Sequence, residues 1–191
     1  KSLNKAIKIS KGEYIVRMDT DDVSLPNRLE VLVNEISSSK NKEFDVIGSS
    51  IIEFDDEQLN KKRILDIEIT KKELVKRIAP VHPSVIMRKE ILNEIGGYKD
   101  YNRCEDFVLW ADVLCSGGRI KIIPDVLLLY HIDINDMRKR KISKRKDEIF
   151  ARFKFYRKLD AGFFDYFNIM KTVFSGILPI RIMWLYHKFR R

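Results

Sequence analysis

The most constraining stretch of this sequence is a short apolar run that ends in a cluster of carboxylates. Glu13-Tyr14-Ile15-Val16-Arg17-Met18 reads as a compact strand and runs directly into Asp19-Thr20-Asp21-Asp22. Three carboxylates in four residues repel one another and cost stability unless a cation neutralises them. A solvated turn would tolerate such a cluster. A strand end in the crevice where α/β sheets bind their ligands would use it. Oxygen ligands of this kind suit Mg²⁺ or Mn²⁺, ions that keep diphosphate oxygens in their shell.

Around that strand, strand and helix patterns alternate. Leu3, Ala6 and Ile7 mark a short amphipathic helix closed by Lys11-Gly12. Ser24 as N-cap and Pro26 in the first turn predict a second helix, with Leu25, Leu29, Leu32, Val33 and Ile36 on its buried face. Residues 45–54 read as a strand with Gly48 at a bend or close approach, 55–62 as a loop, and 71–78 as a short helix. The run from His82 to Met87 leads into a strand, and the helix over 89–95 ends at Gly96-Gly97. Phe107, Trp110, Ala111 and Leu114 fall at i, i+3, i+4 and i+7, a helix stopped by Gly117-Gly118. Two more strands are predicted over 119–123 and 126–130, around Pro124-Asp125. This alternation predicts a layered α/β domain, and 191 residues with 45% apolar side chains suffice for one.

The formal charge of +9 first suggests nucleic-acid binding, but its distribution argues against it. Residues 138–191 carry 16 Lys/Arg against 4 Asp/Glu, whereas the rest carries 21 against 24. A near-neutral body with a basic, aromatic-rich helical tail is the pattern of an enzyme with an appended surface. The expected division is therefore 1–136 for the catalytic domain and 137–191 for the tail. No stretch reaches 18 uninterrupted apolar residues, so a spanning helix is not expected. The tail's aromatics have two readings of equal weight: an interfacial segment on an anionic membrane, or packing on the domain. Two cysteines, Cys104 and Cys115, form no disulfide framework and point to a reducing compartment, hence a cytoplasmic location, peripheral on the inner face of the membrane if the tail docks there.

Three elements, in order, resemble the family 2 glycosyltransferases of the GT-A fold, of the bacterial polysaccharide type. The first is the string from Lys11 to Asp22 followed by Ser24-Leu25-Pro26-Asn27-Arg28-Leu29. The second is His82-Pro83-Ser84-Val85-Ile86-Met87-Arg88 with Gly96-Gly97-Tyr98. The third is Glu105-Asp106-Phe107-Val108-Leu109-Trp110. The resemblance implies a mixed sheet flanked by helices, with Asp21 as the principal ligand of Mn²⁺ or Mg²⁺, Asp19 near the donor's ribose and the metal, and Asp22 assisting. It implies Asp106 as the catalytic base. At a helix N-terminus, exposed N–H groups stabilise that carboxylate, which would equally make it a simple N-cap. His82, Glu105 and His131 are candidate acceptor or phosphate contacts; His82 is nearly as readily a structural hydrogen-bonder, and His131 a strand end. Trp110, one turn inward, is expected in the core.

The implied activity is metal-dependent, inverting transfer of a sugar from a nucleotide-diphosphate donor, UDP by family habit, to a hydroxyl of a glycan or lipid-linked acceptor. The family's opening strand, helix and second strand have no counterpart after Lys1, so the fold is expected to be N-terminally incomplete, with an exposed sheet edge and weak or absent activity. Asp19-Thr20-Asp21-Asp22-Val23 also fits the nucleophile motif of haloacid dehalogenase-like phosphohydrolases, but no downstream Gly-Asp-x-x-x-Asp accompanies it. A basic module binding nucleic acid or anionic lipid through residues 138–146 is the non-enzymatic alternative.

Overall fold

A computed structural model describes residues 2–38, 44–55, 58–101, 103–132, 145–179 and 182. The elements are α1 (Ser2–Ile9), β1 (Tyr14–Val16), β2 (Val23–Ser24), α2 (Arg28–Ser38), β3 (Val46–Phe54), β4 (Leu59–Arg63) and β5 (Ile67–Ile69). They continue with α3 (Lys71–Val75), a 3₁₀ turn His82–Ser84, β6 (Val85–Arg88), α4 (Lys89–Glu94), α5 (Glu105–Cys115) and β7 (Ile120–His131). Two helices, α6 (Lys146–Lys158) and α7 (Phe167–Ile177), close the described chain, with a 3₁₀ turn Phe163–Tyr166 between them.

The seven strands among the described residues form one mixed sheet in the order β1-β6-β3-β7-β2, with β4 added to β3 and β5 to β7. The centre is β3, buried over most of its length, parallel to β7 and antiparallel to β6. Two apolar clusters flank it. The smaller joins Leu32 and Ile36 of α2 to Ile47, Ile86 and Ile123. The larger packs α3, α4 and α5 on the other strands and takes in Ala151, Phe155 and Tyr156 of α6 and Ile169 of α7. The expected α/β layering is therefore present, and part of the tail belongs to its core. The boundary at 136/137 and residues 138–144 of the basic run lie outside the described residues.

Several local expectations are corrected. Ser24 is no N-cap: it sits in β2, paired with Leu128, and α2 begins at Arg28 after a turn through Pro26 and Asn27. On α2, Leu29 and Val33 face solvent, so the buried stripe is Arg28, Leu32 and Ile36. The stretch expected as a loop contains β4, a hairpin partner of β3. The two strands expected around Pro124 are one, β7. Ser49 pairs with Ile123 and Ser50 with Val126, so Pro124 and Asp125 bulge out of the ladder, the site at which a proline is tolerated inside a sheet. The Ser50 hydroxyl stitches that bulge, donating to the Ile123 carbonyl (2.9 Å) and accepting from the Leu65 N–H (2.9 Å). Gly48 is a close approach: a Cβ there would lie 2.7 Å from Pro80 Cβ, so glycine lets the 80–84 segment lie against the sheet just ahead of His82.

Candidate active site

Two elements end at one cleft of about 1000 Å³: β1, which delivers Asp19, and α5, which opens with Glu105 and Asp106. His82 and Tyr130 line the same cleft. Four of the residues singled out from the sequence, Asp19, His82, Glu105 and Asp106, thus come together from three separate segments. Asp21, Asp22 and His131 do not line the cleft; they form a cluster of their own beside it.

In that cluster Asp22 is buried, and its Oδ1 accepts the His131 N–H at 2.9 Å. The acidic turn is thereby tied to the end of β7. Its Oδ2 is also buried, with no hydrogen-bond partner among the described residues. Asp21 is exposed and its Oδ2 lies 3.9 Å from His131 Nδ1. Asp19 is ion-paired with Arg17. Among the described residues no three His, Cys, Asp or Glu side chains are close enough to cage a metal by themselves. What the chain offers is an exposed carboxylate, a neighbouring imidazole and an orphaned carboxylate oxygen. That set fits a hard cation that draws the rest of its shell from a diphosphate and water.

Burial pushes the Asp22 carboxyl up to about 6, with Asp19 and Asp21 adding to the effect, against the lowering by the His131 N–H and the charge of Arg28. Between the ordinary 3.8 and about 6 the folded chain keeps a proton that the unfolded chain has lost, so stability falls as pH rises through that window. A shift of this size corresponds to ~2–3 kcal/mol at neutral pH. Asp22→Asn is expected to remove that slope: its urea midpoint should change less than the parent's between the lower and upper ends of the window. Parallel curves for the two proteins would refute the assignment.

Beneath the site lies a residue to which the sequence reading gave no role. Arg28, 1% exposed, donates from Nη2 to the Arg17 carbonyl and to the Pro83 carbonyl, both at 2.6 Å. One guanidinium therefore fixes the segment carrying Asp19 against the turn carrying His82. Burial lowers its proton affinity and the Asp22 carboxylate raises it. Its place one helical turn before Leu32 and two before Ile36 was the available signal, because an arginine on an apolar stripe must find buried acceptors.

His82 Nε2 lies 2.7 Å from the Tyr98 hydroxyl, and its ring meets Tyr98 and the fully buried Trp110 edge-on. Burial lowers its proton affinity, partly offset by Asp106, so the ring is a neutral hydrogen-bonding group. Asp106 is not the N-cap of α5. Cys104 holds that position in a left-handed conformation (φ 62°), and Asp106 is the second helical residue. Its Oδ1 accepts the Phe107 N–H at 2.7 Å, which orients the carboxylate in the first turn. Glu105 is pushed up by burial, with Asp106 contributing. Burial likewise pushes the Cys104 thiol up to about 12, so this cleft cysteine is no thiolate nucleophile.

The fold is that of GT-A glycosyltransferases. TarS 1-349 from S. aureus superposes with a TM-score of 0.58 at 12% identity, covering 91% of this chain and 48% of that TarS chain; at that identity the likeness concerns the fold alone. The chain belongs to glycosyl transferase family 2, whose family model matches residues 1–96. It is similar to the amylovoran biosynthesis glycosyltransferase AmsE of Erwinia amylovora, 27% identical over 200 residues, which cover all of this chain and 73% of AmsE. It is also similar to the UDP-Gal:alpha-D-GlcNAc-diphosphoundecaprenol beta-1,3-galactosyltransferase of Escherichia coli, 28% identical over 192 residues, covering 93% of this chain and 66% of that enzyme. The chain thus spans about two thirds to three quarters of these relatives. With the family established, the phosphohydrolase reading of Asp19-Thr20-Asp21-Asp22-Val23 falls away.

Proposed function

We propose that this chain carries the catalytic core of an enzyme that transfers a sugar from a nucleotide-diphosphate donor to a hydroxyl of a glycan or lipid-linked acceptor, with inversion, in cell-surface polysaccharide biosynthesis. The observation that carries the reading is the convergence of Asp19, from the Asp-x-Asp strand, and Asp106, from the first turn of α5, on one cleft. Asp106 takes the proton of the acceptor hydroxyl. The freed oxygen attacks the anomeric carbon, and the nucleoside diphosphate leaves from the opposite face. A single displacement with one base inverts the configuration. Asp21, with Asp19 beside it, would hold Mn²⁺ or Mg²⁺, whose chemistry is to neutralise charge on the leaving diphosphate. His82, held by Tyr98, and Glu105 face the acceptor as hydrogen-bonding groups; His131 supports Asp21.

Calorimetric titration with UDP, with and without Mn²⁺, tests the donor site. Binding is expected only with Mn²⁺ and is expected to vanish in Asp21→Ala. UDP binding that needs no metal and survives this substitution would remove Asp21 from the site.

A peripheral contact with anionic membrane is part of the same proposal. Among the described residues no helix is long and apolar enough to cross a membrane. The tail divides by face: Phe155 and Tyr156 are buried, whereas Phe163 and Phe164 are 80% and 81% exposed and Phe167 and Phe174 also face solvent. Exposed aromatics beside Lys154, Arg157, Lys158 and Lys171 have the composition of an interfacial anchor. Phe163→Ser/Phe164→Ser is expected to weaken cosedimentation with phosphatidylglycerol vesicles several-fold. Unchanged cosedimentation would refute this contact.

A further inference from the structure

The carboxylates account for only part of the cleft. Five cations line it as well: Arg63 of β4, which is paired with Glu53, Arg77 from the turn after α3, Arg103 just ahead of α5, and Lys146 and Arg152 from α6. Arg152 lies over the Phe107 ring, its guanidinium carbon 4.5 Å from the centroid, and Phe107 directly follows Asp106. Its Nε pairs with Glu148 at 3.2 Å, while its Nη1 is buried with no hydrogen-bond partner among the described residues. Arg77 is near enough for its positive charge to be felt there, an effect that its hydrogen bond to Tyr156 and the Glu148 carboxylate offset.

The backbone at Arg77 is a second, independent observation. Helix α3 ends in a Schellman arrangement, with the Ile78 N–H on the Glu73 carbonyl (2.9 Å) and the Arg77 N–H on the Leu74 carbonyl (3.0 Å). This puts Arg77 at φ 70°, the position where glycine is the residue of least strain. An arginine held there against its backbone preference, beside a like charge, is a local conflict of the kind concentrated at binding sites. A bound anion would take up the buried Arg152 Nη1 donor and balance the cations that line the cleft.

We propose that Arg77 and Arg152, aided by Arg103 and Lys146, bind the phosphate or diphosphate that joins the acceptor's sugar to its carrier. The proposal rests on the glycosyltransferase reading and deepens it. Guanidinium groups match phosphate oxygens two at a time, which suits a diphosphate ester. The donor's diphosphate is accounted for at Asp19 and Asp21. Arg152, stacked on the residue that follows Asp106, lines the same cleft as that carboxylate, so an acceptor sugar at Asp106 has these cations within the cleft for its phosphate.

The probe is farnesyl diphosphate, titrated in EDTA so that no divalent cation contributes, with farnesol as the uncharged control and UDP with Mn²⁺ in parallel. Farnesyl diphosphate is expected to bind, farnesol far more weakly, and saturation with UDP and Mn²⁺ is expected to leave the site open. Arg77→Gly and Arg152→Gln are each expected to weaken farnesyl diphosphate binding about tenfold or more, the loss of one charge-assisted hydrogen bond. UDP binding should stay unchanged, and Arg152→Lys should recover part of the loss. Arg77→Gly relieves the positive φ but gives up the Tyr156 hydrogen bond, so its melting temperature should stay close to the parent's, which separates lost binding from lost folding. Farnesyl diphosphate binding that is absent, untouched by both substitutions, or displaced by UDP with Mn²⁺ overturns the proposal while the glycosyltransferase reading stands. A folded chain that binds none of UDP, GDP and dTDP with Mn²⁺ overturns that reading, and the proposal with it.

Discussion

Asp106→Asn is expected to slow sugar transfer about a thousandfold while leaving the chain folded and nucleotide binding intact, the effect of deleting a general base from an otherwise assembled site. Asparagine keeps the shape of the side chain and can still accept the Phe107 N–H through its amide oxygen. What it cannot do is take a proton. Neighbouring Glu105 makes the control, because its carboxyl is pushed up by burial and stands one residue earlier on the same helix turn. Glu105→Gln should cost far less turnover, with the change showing more in KM than in kcat if it only orients substrate. The measurement is turnover with a matched donor and acceptor, beside UDP affinity by titration. Asp106→Asn turnover within tenfold of the parent would remove it as the base, and an equal loss of UDP affinity would make it a binding residue instead.

The parts of this fold that were legible in the sequence are those whose hydrophobic pattern is periodic. Helix α5 announces itself by Phe107, Trp110, Ala111 and Leu114, which are buried apart from the partly covered Leu114, and β3 by the apolar pairs Val46-Ile47 and Ile51-Ile52 on either side of Gly48-Ser49-Ser50. The elements missed have no such pattern. Leu59-Asn60-Lys61-Lys62-Arg63 is polar on both faces and becomes a strand only because β3 offers it an open edge to pair with. Pro124 reads as a break, and β7 runs through it because two residues bulge together and Ser50 satisfies the backbone there. Within the site, acidic residues at a strand end and at a helix start carry a local signal. Arginines recruited from remote turns and helices do not: Arg77 and Arg152 meet only through tertiary packing, and neither follows a motif.

Arg28→Ala is expected to destabilise the fold by about 3–5 kcal/mol, the range for removing one partner of a buried, hydrogen-bonded charge. Three costs add. The Arg17 and Pro83 carbonyls each lose a 2.6 Å donor, and a buried acceptor left unsatisfied costs about 1–3 kcal/mol. Asp22, buried with one oxygen already unpartnered, loses the neighbouring positive charge. The vacated volume lies beside Leu32 and Ile36, which are fully buried and cannot easily close over it. For a chain of this size such a loss lowers the melting temperature by roughly 10 °C. Arg28→Lys should rescue only part of the loss, because the shorter, flexible stem must bring its ammonium to the point from which Nη2 reaches both carbonyls. The consequence extends beyond stability: the same guanidinium fixes the Asp19 segment relative to the His82 turn, so the fraction that remains folded should bind UDP with Mn²⁺ more weakly than the parent. Urea denaturation gives the first quantity and titration of the folded variant the second. A loss below about 1 kcal/mol, the scale of an exposed ion pair, would mean that the two segments are held by their own strand pairing and that Arg28 is dispensable to the site.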